Sequence, residues 1–323
     1  MTQPDPLVLP RARVIIDNDL SGDPDGLVQL AHHLLSPSVE IRAIIGSHLR
    51  AGDAFDPSDT TADNACRAAT EVLRALGLEG TVPVVAGSNV ALSDTRTPIR
   101  SAATDAIIAE AMRDDSDLPL YLACGAGLTE AASAWLLEPR IAERLTLVWI
   151  GGMEYPGLAV PPPDADPVEY NLNIDPNAAR VVFNDSALPI WQVPRDAYRQ
   201  TLLSHAEMAT RVRPFGEIGE LLVSSIESVA RMAGSHGLSL GETYIMGDSP
   251  LVLLTALQSA FQADPSSSEY STVPAPRLGE DLRFDFDGER QDAGARDIRV
   301  YTRLDLRLMF EDFFAKLVLH AGS

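Results

Sequence analysis

Apolar residues in this chain come in short runs that alternate between two spacings. The run ARVIID at 12–17 is continuous, β-branched and closed by a carboxylate, which predicts a buried strand. A polar loop, NDLSGDPDG, follows. LVQLAHHLLS at 27–36 then sets Leu27, Leu30, Ala31, Leu34 and Leu35 along one side of a helix. VEIRAIIGSH reads as a second strand. Strand, loop, helix and strand in that order open a parallel βαβ unit.

The rhythm continues, with helices predicted over 60–77, 101–113 and 128–137 and strands over 81–88, 118–127, 145–153 and 188–194. DPNAARVVFND at 175–185 opens on Asp-Pro, a helix start. The predicted fold class is α/β, a mostly parallel open twisted sheet with helices on both faces. Two segments break the pattern. The proline-rich 156–167 is expected to loop over the sheet's edge, and 263–285 is polar and turn-rich. A strand at 298–306 and a terminal helix follow. Neither break resembles a linker. One domain over 1–323 is expected, with a core at about 12–258 and a C-terminal strand-and-helix extension at 259–323.

Composition narrows the partners. The chain has 323 residues, and 46% hydrophobic content is enough for a large core. Its net charge of -21 repels nucleic-acid backbones and anionic membranes, so neither partner is expected. Small neutral or cationic ligands and metal ions suit it better. Cys66 and Cys124 make no disulfide framework. No signal-peptide layout or bilayer-length apolar run occurs, so a cytoplasmic location is expected.

Ligands of open α/β sheets bind beyond the carboxyl ends of the strands. Three strands end there in polar or glycine-rich sequence: IIDNDLSGDPDG, YLACGAGLTE and VWIGGMEYPG. Asp17, Asp19, Asp23 and Asp25 fall within nine residues. Such carboxylates repel one another unless a hard divalent cation neutralises them or water solvates them. Spacing alone leaves both open, with Asp25 as a helix cap in the second case. No glutamate closes a twelve-residue calcium loop, and no lysine makes a phosphate loop. Asp248, ahead of LVLLTAL, is either a second acidic point or a cap.

IIDNDLSGDPDGLVQLA resembles the N-terminal signature of the nucleoside hydrolases. ACGAGLTEAASAW, LVWIGGM, VEYNLNIDPNAARVVF, GDSPLVLLTAL and VPVVAGS are similar to further segments of that family, covering roughly 12 to 258. The resemblance implies a Ca2+-dependent N-ribohydrolase that cleaves ribonucleosides to ribose and free base, with a calcium-held water as nucleophile. It implies Asp19, Asp25 and Asp248 as metal ligands, with a backbone carbonyl at Cys124 or Gly125, the alignment favouring Gly125. Asp19 would also be the general base. Glu169, Asn171, Asn18 and Asp23 would contact the sugar, and Met153 would line its lower face. A homodimer or homotetramer is the family expectation.

The chain departs from that pattern. One extra residue separates Asp19 from Asp25, and Gly26 replaces the second acid of a pair. Either Asp23 or Asp25 then fills the ligand position, and Asp25 is preferred because it starts the helix. The histidine that usually precedes the C-terminal aspartate is Gly247. His48 and His236 are candidate replacements for activating the leaving base. Trp191, Tyr198 and Tyr244 are candidate stacking aromatics. The gap leaves room for two other functions. One is hydrolysis of a modified ribosyl compound. The other is a ribose- or nucleoside-binding protein that keeps its metal site.

Overall fold

The computed structural model describes residues 8–286 and 296–322. Its strands are β1 (Ala12–Asn18), β2 (Val39–Gly46), β3 (Val84–Ala86), β4 (Leu120–Cys124), β5 (Leu145–Ile150), β6 (Ile190–Val193), β7 (Leu202–Ser204), β8 (Thr243–Ile245), β9 (Glu269–Pro274), β10 (Arg277–Leu278), β11 (Phe284–Asp285) and β12 (Asp297–Arg303). The helices are α1 (Asp25–Leu34), α2 (Thr61–Ala75), α3 (Ala102–Ala111), α4 (Thr129–Leu137), α5 (Tyr170–Ile174), α6 (Pro176–Arg180), α7 (Arg195–Tyr198), α8 (His205–Arg211), α9 (Gly216–Ser235), α10 (Pro250–Thr255) and α11 (Leu306–Ala321).

Eight strands form the main sheet in the order β3-β2-β1-β4-β5-β6-β12-β9. All neighbours pair parallel except β12 and β9, which are antiparallel. The fold is α/β, as the alternation predicts. Side chains alternate across the sheet. Val14 and Ile16 of β1 pack with α1, α2, α9, α10 and α11, and Ile15 packs with α3 and α4 on the other face. Both faces of β1 are buried, which explains its unbroken apolar run.

Chain order reverses between β1 and β4, because β1 leads outward to β2 while β4 leads the other way. The carboxyl ends of strands flanking such a point splay apart and leave a crevice. Asp19 follows β1 there, and Gly125 follows β4.

Two expectations are corrected. The 156–167 segment leaves the carboxyl end of β5, an interior strand, not an edge. Within 263–285, EYSTVP is a strand, β9, held by pairing with β12. Its polar, half-exposed character is what an edge strand shows. The helix expected from Asp-Pro starts there as α6, capped by Asp175, and runs on as a π-helix over Val181–Asp185. Cys66 and Cys124 are free thiols. Among the described residues no helix is long and apolar enough to cross a membrane.

Candidate active site

A cavity of about 460 Å3 opens at the β1/β4 crevice. Asp19, Asp23, Asp25, Gly125, Glu169, Asn171 and Asp248 line it. Seven residues singled out from sequence thus come together from four separate stretches of chain.

Neither cap explanation for the acids holds. Pro24 is the residue that precedes α1, and it makes no side-chain cap bond. Asp25 lies in the first turn, and its Oδ2 accepts the backbone N–H of Asp248 at 3.0 Å. α10 begins after Ser249, so Asp248 is not its cap either. Asp248 Oδ2 instead accepts from Asn18 Nδ2 at 2.9 Å. That amide also donates to Gln29 Oε1 at 3.2 Å, so Asn18 lies beneath the cavity and braces its floor. Asp23 Oδ1 accepts from Tyr244 Oη at 2.8 Å.

Glycine is required at 125 by proximity. A Cβ there would fall 2.7 Å from Asp248 Oδ1 and from Asn18 Nδ2. Asn171 Nδ2 donates to the Gly125 carbonyl at 3.2 Å and to the Ile150 carbonyl at 2.9 Å. Glu169 caps α5, where its Oε2 accepts from Leu172 N and from Gly152 N at 2.7 Å. Its Oε1 accepts from Tyr198 Oη at 3.0 Å and the residue still lines the cavity.

Burial raises the acids' proton affinity. Asp19 is held well above the usual carboxylate range by burial, then by Asp248, Asp23 and Asp53. Asp25 is raised by burial and by Asp248 and Asp23. Burial pushes Asp248 up to about 7 against the Asn18 hydrogen bond. Two carboxylates about 4 Å apart repel by roughly 4 kcal/mol at an effective dielectric of 20, whereas a helix cap returns about 1 kcal/mol. Capping does not offset that clustering, whereas proton uptake or a cation would.

The donor set suits a hard cation, since it is all oxygen with no nitrogen or sulfur. Among the described residues no three acidic, histidine or cysteine side chains are gathered into a ready metal-binding group. Three donors are engaged otherwise: Asp25 by a backbone amide, Asp248 by Asn18, and the Gly125 carbonyl by Asn171.

Other sequence candidates lie elsewhere. Met153 lines a separate cleft with Glu154 and Arg195. His48 is buried beside a third cleft; its Nδ1 faces the Leu49 carbonyl and its Nε2 faces Thr129 Oγ1. His236 is exposed at the end of α9, with Nδ1 at 3.0 Å from the Met232 carbonyl. Trp191 packs in the core between Tyr121 and Tyr301. Tyr198 and Tyr244 do line the cavity.

Sequence reasoning missed Asp53, Phe55, Tyr170, Leu202, Leu240 and Ile245. Phe55 and Tyr170 are wall residues, and buried Asp53 joins them. Its Oδ1 accepts from Phe55 N at 3.0 Å and its Oδ2 from Tyr170 Oη at 2.8 Å. Asp53 sits in a loop with no periodicity, so only the fold reveals it. The aromatic between Glu169 and Asn171 was a visible signal for Tyr170.

This crevice, acidic and oxygen-lined at the switch point of a parallel sheet, defines a small-ligand α/β site. The sequence signature of the family described as "Inosine-uridine preferring nucleoside hydrolase" matches residues 14–261. The chain belongs to that family. It is 41% identical over 92 residues to an inosine-uridine preferring nucleoside hydrolase from Leishmania major. That match spans about a quarter of each protein, 28% of this chain and 27% of the relative. In structure it is similar to a purine-preferring ribonucleoside hydrolase from Gardnerella vaginalis, with TM-score 0.73, 20% identity, and 96% and 99% of the two chains covered. A Bacillus anthracis inosine-uridine preferring nucleoside hydrolase is similar at TM-score 0.63 and 17% identity, covering 96% of this chain and 99% of that one. At such identities the structural likeness speaks for the fold.

Proposed function

We propose that this protein hydrolyses the N-glycosidic bond of ribonucleosides to ribose and a free base, with Ca2+ at the floor of the cavity. The observation that carries this is the meeting of Asp19, Asp25 and Asp248 with Glu169 and Asn171 in one cavity beyond β1 and β4. Asp19, Asp25, Asp248 and the Gly125 carbonyl would hold the ion. When bound, it would neutralise the carboxylates and lower the pKa of a nearby water.

The chain's own groups do the rest. Asp19, which lines the cavity, accepts the proton of the attacking water. Glu169 and Asn171 Oδ1 present acceptors to ribose hydroxyls, which are donors. Bond breaking leaves an oxocarbenium-like sugar, whose positive charge the surrounding carboxylates stabilise. Asn18 acts through Asp248, which it braces.

The test is ribose release from a panel of purine and pyrimidine ribonucleosides, with calcium and then after chelation. Calcium-dependent release from at least one is expected. Calcium binding with no release from any riboside would favour a binding protein instead.

A further inference from the structure

A run of buried polar groups leads away from the cavity floor into the packing between α1 and α10. Asn18, Gln29, His33 and Thr255 are all buried. Gln29 and His33 stand one turn apart on α1, so their side chains share a face of that helix. In a core such groups cost stability unless each donor meets an acceptor. The direction of the run is set at its far end. The Leu251 carbonyl can only accept, so Thr255 Oγ1 gives it its single hydrogen, at 2.6 Å. Thr255 Oγ1 also lies 2.8 Å from His33 Nε2, and toward that ring it can only accept. His33 Nε2 therefore carries a hydrogen. Burial holds the imidazole pKa well down, so the ring is neutral and Nδ1 is an acceptor. Nδ1 meets the Gln29 amide nitrogen, a donor. Gln29 thereby turns Oε1 toward Asn18 Nδ2, at 3.2 Å. The second hydrogen of that amide goes to Asp248 Oδ2, at 2.9 Å. Asp248 precedes α10 and Thr255 ends it, so the bonds close into a ring.

Asn18 gains nothing of its own from this orientation. Its Oδ1 is buried and has no partner among the described residues. Turned over, the amide would set that oxygen against Gln29 Oε1 and Asp248 Oδ2, two further acceptors. The orientation is imposed from the α1 side. We infer that His33 is a positioning residue for the cavity floor: its Nε2–H tautomer, passed through Gln29 and Asn18, aims an amide N–H at Asp248 Oδ2 and leaves Oδ1 free to ligate a cation. This deepens the calcium reading of the cavity and rests on it. His33 touches neither the cavity lining nor the ion, and it acts only by fixing which way two amides face.

Two measurements on the whole protein test this. Nitrogen NMR of the histidine rings shows which nitrogen of His33 carries the hydrogen, its signals being those lost in His33→Asn. Nε2–H is expected, and Nδ1–H overturns the inference. Calorimetric titration with calcium alone then compares Thr255→Val and Thr255→Ser with the parent. Valine keeps the shape of threonine and removes the hydroxyl that sets the direction. Its Kd for calcium is expected to rise about tenfold, the low end of what an outer partner of a metal site contributes. Serine keeps the hydroxyl and is expected to bind as the parent does. Parent-like binding by the valine variant, or equal weakening in both variants, overturns the inference while the calcium reading stands. A parent that takes up no calcium overturns both.

Discussion

At the scale of single residues, Asp53 shows how a side chain can govern the site without an evident motif. It is buried, it fixes the backbone at Phe55, and it holds the hydroxyl of Tyr170. Arg50 lies over the Tyr170 ring at 5.3 Å from its centroid and completes the clamp. Asp53→Ala is expected to raise KM for the cleaved riboside about tenfold, with a smaller loss in kcat. A buried hydroxyl losing its acceptor costs about 1–3 kcal/mol. Asp53→Asn should restore most of the loss. Tyr170→Phe added to Asp53→Ala should cost little more, since the two act as one unit. Steady-state kinetics of these three variants and of Tyr170→Phe alone check this, and additive losses would contradict it. The acids at 19, 23, 25 and 248 were legible in the sequence as residues, yet their role was not. Spacing could not separate a cap from a cation site. The fold removes the cap reading for Asp248, which pairs with Asn18 across 230 positions of sequence.

At the scale of elements, apolar spacing located the βαβ core because its central strands β1 and β4 are buried on both faces. It failed where packing was one-sided. β9 is a polar edge strand and needs β12 beside it to exist. α9, twenty residues long, was not anticipated because its buried stripe is narrow. The helix pair α1 and α11 also hides a pH response. His32 is buried, and its Nε2 lies 2.8 Å from Asp312, which also pairs with Lys316 at 2.5 Å. Burial pushes the His32 imidazole down to about 4, despite Asp312. Its neighbour His33 is lowered as well, by burial first. An unfolded histidine titrates near 6.5. The folded pKa is depressed, so the unfolded chain binds more protons between these values. This contribution is complete above pH 6.5 and is lost as pH falls toward 4, about 3 kcal/mol for His32. His32→Gln keeps a donor for Asp312 but does not titrate. In denaturant melts at pH 7 and pH 4.5, in calcium, the variant should lose less stability than the parent over that interval. An identical loss would contradict the assignment.

At the scale of the whole molecule, the sheet order creates the site. Reversal between β1 and β4 opens a crevice, and seven stretches of chain fill its walls. The class of sheet could be read from sequence, but strand order could not, since alternation is the same for any parallel order. The missing histidine at Gly247 was visible, but its consequence was not. His48 and His236 remained candidates until the fold placed them away from the cavity. What remains is an acidic, oxygen-lined cavity, in which the proposed function would seat a sugar and a cation.

The central claim is that Asp19 takes the proton from the attacking water in that cavity. Ribose release by the purified protein and by Asp19→Asn, side by side in calcium, tests it most directly. The rate should fall by about 10^2 to 10^4, the range for loss of a general base. The thermal midpoint in chelator should hold or rise, because one buried charge is gone. Equal rates for the two proteins would contradict the account.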